Sequence, residues 1–106
     1  MSGKNLQQDL TGSTIYGKNV IHSIITLATK EITGVVCLQG RGVKIDIDED
    51  NNISVDVFIK ILYGHSVADV AFRVQENIKR SVETMSVYRV KNINVNILEV
   101  GFEEEV

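Results

Sequence analysis

The chain has 106 residues, 43% of them hydrophobic and 24% charged, with 8 glycines, one cysteine and neither proline nor tryptophan. That length and mixture describe one soluble domain, and a single cysteine excludes an internal disulfide and suits a reducing compartment. Eleven basic against fourteen acidic residues give a net charge of −3, which argues against a dedicated nucleic-acid binder, since such proteins use a basic surplus to displace counterions.

Residues 1–12 lack periodicity and are amide-rich, so they read as a flexible lead-in; Ser13–Tyr16 reads as a short extended stretch. A helix is expected from Lys18 to Ile32. Val20, Ile21, Ile24, Ala28 and Ile32 fall on one stripe, while His22, Thr26, Thr29 and Lys30 fall on or near the polar side. Gly34 stands where a left-handed residue commonly ends a helix.

Val35–Gln39 is β-rich, and Gly40-Arg41-Gly42 reads as a turn. Val43–Asp48 then alternates apolar with polar residues, as does Ile53–Leu62, and the acidic run Asp48–Asn52 between them predicts a hairpin. Ser66-Val67-Ala68-Asp69 has the form of a capping box. It opens a second helix reaching Met85, whose apolar stripe is Val67, Val70, Ala71, Val74, Ile78, Val82 and Met85. Arg73, Glu76, Lys79, Arg80 and Glu83 lie on its other face, which reads as solvated, with attraction available at spacing four in Glu76–Arg80 and Lys79–Glu83. Val90–Val100 closes the domain as a strand in which Ile93, Val95 and Ile97 alternate with Asn92, Asn94 and Asn96. Glu103–Glu105 read as part of an acidic tail over residues 103–106.

The expected fold is therefore α+β, in the order α-β-β-β-α-β. Two helices pack on one face of a four-stranded mixed sheet, forming a single domain over residues 13–102. The strands before and after the second helix pair in parallel through a crossover. The uncovered face would carry Lys44, Asp46, Asp56, Phe58, Lys60, Leu62, Asn94 and Asn96. Phe58 and Leu62 are its apolar members, so Asp56, Phe58, Lys60 and Leu62 form the candidate protein-contact face.

Chemistry is sparse. His22 and His65 have no partner at metal-ligand spacing, and Cys37 falls inside a strand, where a buried thiol is inert. Gly40-x-Gly42 lacks the remainder of a phosphate loop. Asp46, Asp48, Glu49 and Asp50 lack the central glycine and closing glutamate of a calcium loop. No catalytic residue, cofactor or metal is expected. An RNA-binding sheet would present aromatics on two central strands, and only Phe58 qualifies; Arg73, Lys79, Arg80, Arg89 and Lys91 could still form a local basic patch. A cleft near Tyr63, Gly64 and His65 is the position open to a small molecule.

Several pieces together resemble the alkaline shock protein family, the general-stress and envelope-stress proteins of Gram-positive bacteria. They are Val20-Ile21 with Ile24, Ala28 and Glu31-Ile32-x-Gly34-Val35; Gly42-Val43-Lys44; Tyr63-Gly64 before a helix; Val70-Ala71-x-x-Val74-Gln75-x-x-Ile78; and Ile93-x-Val95-x-Ile97. The likeness spans roughly residues 13–102. It departs in the short Gly40–Gly42 loop and in the missing proline near Ser66-Val67. The resemblance implies a non-enzymatic cytoplasmic protein of cell-envelope homeostasis. Such a protein would self-associate and could gather at the inner membrane face through a membrane-anchored partner. No nucleic acid and no direct membrane insertion are expected. RNA binding, or small-molecule sensing linked to control of fatty-acid synthesis, is the alternative.

Overall fold

The computed structural model describes residues 17–102. The lead-in at 1–12, the stretch Ser13–Tyr16 and the tail at 103–106 lie outside the described residues. In chain order the elements are α1 (Lys18–Lys30), β1 (Val35–Ile47), β2 (Asn52–Leu62), α2 (Val67–Met85) and β3 (Arg89–Gly101). The sheet has three strands in the order β1-β2-β3; β1 and β2 are antiparallel, and β2 and β3 are parallel.

The four-stranded sheet expected from the sequence is corrected here. Val35–Gln39 and Val43–Asp48 are not two strands joined at a glycine turn; both belong to β1. Its pairing passes from Leu38 opposite Ile59 to Val43 opposite Val57, so the surplus residues of β1 loop out without reversing the chain. Gly40 and Gly42 adopt φ of 56° and 72°, a region glycine enters without steric cost. Two left-handed glycines, with one residue between them, absorb the extra length, and the strand continues in its original direction.

Alternation decides which face of the sheet is buried. Ile53, Val55, Val57, Ile59 and Ile61 of β2 are all buried against Ile21, Ile25 and Ala28 of α1 and Val70, Val74, Ile78 and Val82 of α2. Both helices thus cover the same face, as the stripes require. On α1 the buried side is Ile21, Ile24, Ile25, Ala28 and Thr29. Val20, expected in that stripe, is exposed instead. Thr29, expected outside, is buried, and its hydroxyl donates to the Ile25 carbonyl over 2.8 Å.

Local chemistry fixes the joints. Gly34 has φ of 103°, and its carbonyl accepts from Leu62 N over 2.8 Å, anchoring the start of β1 to the end of β2. The Ser66 hydroxyl caps α2 by accepting from Asp69 N over 3.3 Å. In the β1–β2 turn the Asp48 carboxylate accepts from the backbone of Asp50 and Asn52 and from the Asn52 amide. The bond from Asn52 N is the largest cause of a pKa held below the usual aspartate value. The acidic cluster is therefore a turn built around Asp48.

Candidate protein-contact site

The sheet face away from the helices is organised in rows. Lys44, Asp56 and Asn94 share one row, Asp46, Ser54 and Asn92 a second, and Cys37, Lys60 and Glu99 a third; Phe58 lies beside Asn96, and Leu62 beside Gly101. Among the described residues no helix covers these rows. Asp56, Phe58 and Leu62 are partly exposed, and the Asn94 amide donates to the Asp56 carboxylate over 2.9 Å.

Lys60 departs from the expected pattern, since it is only 6% exposed although it lies on the open face. Its ammonium stands 3.7 Å from one Glu99 oxygen, and the other Glu99 oxygen accepts from the Gln39 amide over 2.8 Å. Glu99 of β3 is thus held by donors from β1 and β2 together. A lysine can be buried in this way when its stem packs and its charge is compensated.

Leu98 is the residue inserted in β3 between the pairs Ile59–Ile97 and Lys60–Glu99. It is 52% exposed. Its Cδ1 would sit 3.0 Å from a Cβ placed on Gly40, so this leucine reaches across the sheet to β1 and occupies space that the glycine leaves. At the same end of the sheet the Tyr63 and Phe102 rings pack at 5.5 Å, and both are largely exposed. Tyr63 N donates to the Gly101 carbonyl and holds the pair in place. Sequence reasoning places Tyr63 only beside a cleft and does not single out Leu98 or Phe102. The one signal for them is the loss of alternation after Ile97.

The remaining candidates do not converge. Cys37 is partly exposed rather than buried, and it is a free cysteine. His65 stands beside Gly34, whereas His22 is on the outer side of α1 along a shallow hollow with Lys44 and Asp46. Among the described residues no three of His, Cys, Asp and Glu gather as a metal-binding group. The two arginines of α2 are engaged singly: Arg73 pairs with Asp69 at 3.2 Å, and Arg80 donates to Asn77 Oδ1 over 2.8 Å. An open groove of about 540 Å³ runs between α2 and β3, with Phe72, Lys79, Lys91 and Ile93 among its walls.

Residues 38–102 match the model of the alkaline shock protein 23 family, described as having a cell envelope-related function. The chain belongs to that family. It is the family expected from the sequence. Among curated proteins the chain is 29% identical to the uncharacterized protein YqhY of Bacillus subtilis (strain 168), over 87% of this chain and 79% of that one. It is 23% identical to the uncharacterized protein Spy1535 of Streptococcus pyogenes serotype M6, over 81% and 77%. Among solved structures it is similar to variants of the MamM CTD. One has a TM-score of 0.64 at 14% identity, covering 78% of this chain and 99% of that chain. Another has 0.63 at 15%, covering 76% and 93%. At such identity the likeness concerns the fold. No helix among the described residues is long and apolar enough to cross a membrane.

Proposed function

We propose that this alkaline shock family member serves cell-envelope homeostasis as a non-enzymatic protein that self-associates and binds other proteins through its open sheet face. The observation that carries this reading is the uncovered face itself. Partly exposed Phe58 and Leu62, exposed Leu98 and the Tyr63–Phe102 pair stand around a cross-strand polar clasp. Apolar groups concentrated on a polar surface are what a contact site requires. The family's cell envelope-related function gives the setting. A cytoplasmic location with recruitment to the membrane by an anchored partner is part of the same proposal, as is a role in stress.

Sedimentation of the pure protein over a dilution series tests the self-association. Assembly that weakens on Phe58→Asp, with the circular dichroism spectrum unchanged, is the expected result. A monomer at every concentration would sink the self-association part.

One observation favours a second reading. The α2–β3 groove combines Phe72 and Ile93 with the cations of Lys79, Arg80 and Lys91, which outnumber the acids Glu76 and Glu83 in its walls and suit a small anionic ligand. A thermal-shift screen with inorganic phosphate and simple carboxylates tests it, because a ligand bound only by the folded state raises Tm.

A further inference from the structure

β3 is an edge strand, and its free edge has a direction that the hydrogen bonds define. Arg89 N donates to Asn51 and the Gly101 carbonyl accepts from Tyr63 N, so those two residues face β2. Val90 N instead donates to Glu83 Oε2 of α2 over 2.9 Å, and the Ile93 carbonyl accepts from Gln75 Nε2 of α2 over 2.9 Å. These two therefore face outward. Backbone groups alternate along a strand, so Val95 and Ile97 face outward with Ile93. The pairing shift beyond Ile97 brings Val100 to the outer side as well.

The outward positions are then Val90, Ile93, Val95, Ile97 and Val100. They are symmetric about Val95, because Lys91 and Asn92 separate Val90 from Ile93 just as Leu98 and Glu99 separate Ile97 from Val100. Most of the side chains match as well. Turned antiparallel on itself about Val95, the strand sets Val90 opposite Val100, Lys91 opposite Glu99, Ile93 opposite Ile97 and Asn94 opposite Asn96. In these pairs apolar residues meet apolar ones, amides meet amides, and Lys91 meets an acid; Asn92 opposite Leu98 is the mismatched pair.

Protection of the edge is uneven. Glu83 and Gln75 occupy Val90 N and the Ile93 carbonyl. Among the described residues nothing is bonded to the outward groups of Val95, Ile97 and Val100. Exposed Val100 and Leu98 flank that bare half. An unshielded, self-complementary edge is a template for strand addition.

We propose that the free edge of β3 pairs antiparallel with β3 of a second copy of this chain, about a two-fold axis at Val95. The proposal rests on the self-association reading above and adds to the open face a second surface by which copies meet. Ile93, Val95 and Ile97 exchange backbone bonds with their counterparts. The Ile93 carbonyl keeps Gln75 on its second lone pair. Lys91 lies opposite Glu99 of the second copy at each end, beside the bonds that Glu99 already makes to Gln39 and Lys60, and the sheet runs on through both molecules.

Two measurements test this. Val95→Pro removes an N–H that faces away from β2, which an edge strand tolerates. Self-association is expected to weaken about tenfold or more, with the folded spectrum retained, because the central bonds and close approach are lost. In a Cys37→Ser background, Asn94→Cys with Asn96→Cys places thiols opposite each other across the axis, about 4.5 Å apart at Cα, within disulfide reach. Mild oxidation is expected to give a covalent dimer, and Asn94→Cys alone is expected to give far less. If the native chain assembles, survives Val95→Pro, yields no such dimer and is broken only by Phe58→Asp, the edge proposal is overturned while self-association stands. A native chain that never assembles overturns both.

Discussion

The side-chain amide of Asn77 donates to the main-chain carbonyl of Ala28 over 2.8 Å, tying the middle of α2 to the last turn of α1. The same nitrogen donates to Glu31 Oε1 over 2.9 Å, and Arg80 donates to the Asn77 oxygen. Asn77 is buried, so both ends of the amide are satisfied in a place where an unmet polar group is costly. Asn77→Ala should lower stability by about 2 kcal/mol, since it strands the carbonyl and its neighbours. Urea unfolding checks this: a midpoint unchanged from the native protein would show that the tie contributes nothing.

Gly34 offers a second point of failure. A Cβ there would lie 2.8 Å from Val70 Cγ2 and 3.1 Å from His65 Nδ1, on a backbone with φ of 103°. Both the contact and the torsion oppose any side chain. Gly34→Ala is expected to cost upwards of about 1 kcal/mol, whereas the same change at Gly17, which has open space around it, should be mild. Paired thermal melts of the two variants make the comparison.

Acid should act on the β1–β2 turn through Asp48. Its carboxyl titrates below the ordinary range because the bonds from Asn52 and Asp50 favour the charged form. A depressed pKa means that the contribution is complete above the unfolded-state value and is lost as pH falls through the folded-state value. Amide exchange at Asp50 and Asn52 should quicken over that acidic window. In Asp48→Ala exchange there should already be fast at neutral pH, with little further change on acidification.

The Gln39–Glu99 bond spans the sheet over β2. A double-mutant cycle of Gln39→Ala and Glu99→Ala should give a coupling of about 0.5 kcal/mol, as suits an exposed charge-assisted pair. Additive effects would show that the two side chains do not cooperate in solution.

Much of this molecule was legible from its aliphatic pattern. The period of two in Ile53–Ile61 and the stripe Val70–Val82 place the core and both layers, because burying those groups dominates the free energy. The strand count was not legible. A bulge and a turn interrupt alternation in the same way, and Gly40-Arg41-Gly42 suits either; only pairing with β2 decides that β1 runs on. The charged side of α2 reads as solvated, yet its Glu83 bonds the edge of β3, as does Gln75, which that reading leaves out. Asn77 gave no signal because one polar residue in a helix does not disclose which neighbour it meets. Lys60 fell on the expected face, but its burial depends on Glu99, which lies far along the chain.

The central place of β2 also orders assembly in time. Its antiparallel neighbour β1 is joined to it by a tight turn, while its parallel neighbour β3 is reached only after the whole of α2 has been laid down. Short-range closure is the faster process. The β1–β2 ribbon should therefore form early, and β3 should be the late arrival that seals the domain. Substitutions in the β1–β2 ribbon would then retard refolding, while those in β3 would chiefly hasten unfolding, a division that stopped-flow chevrons can read.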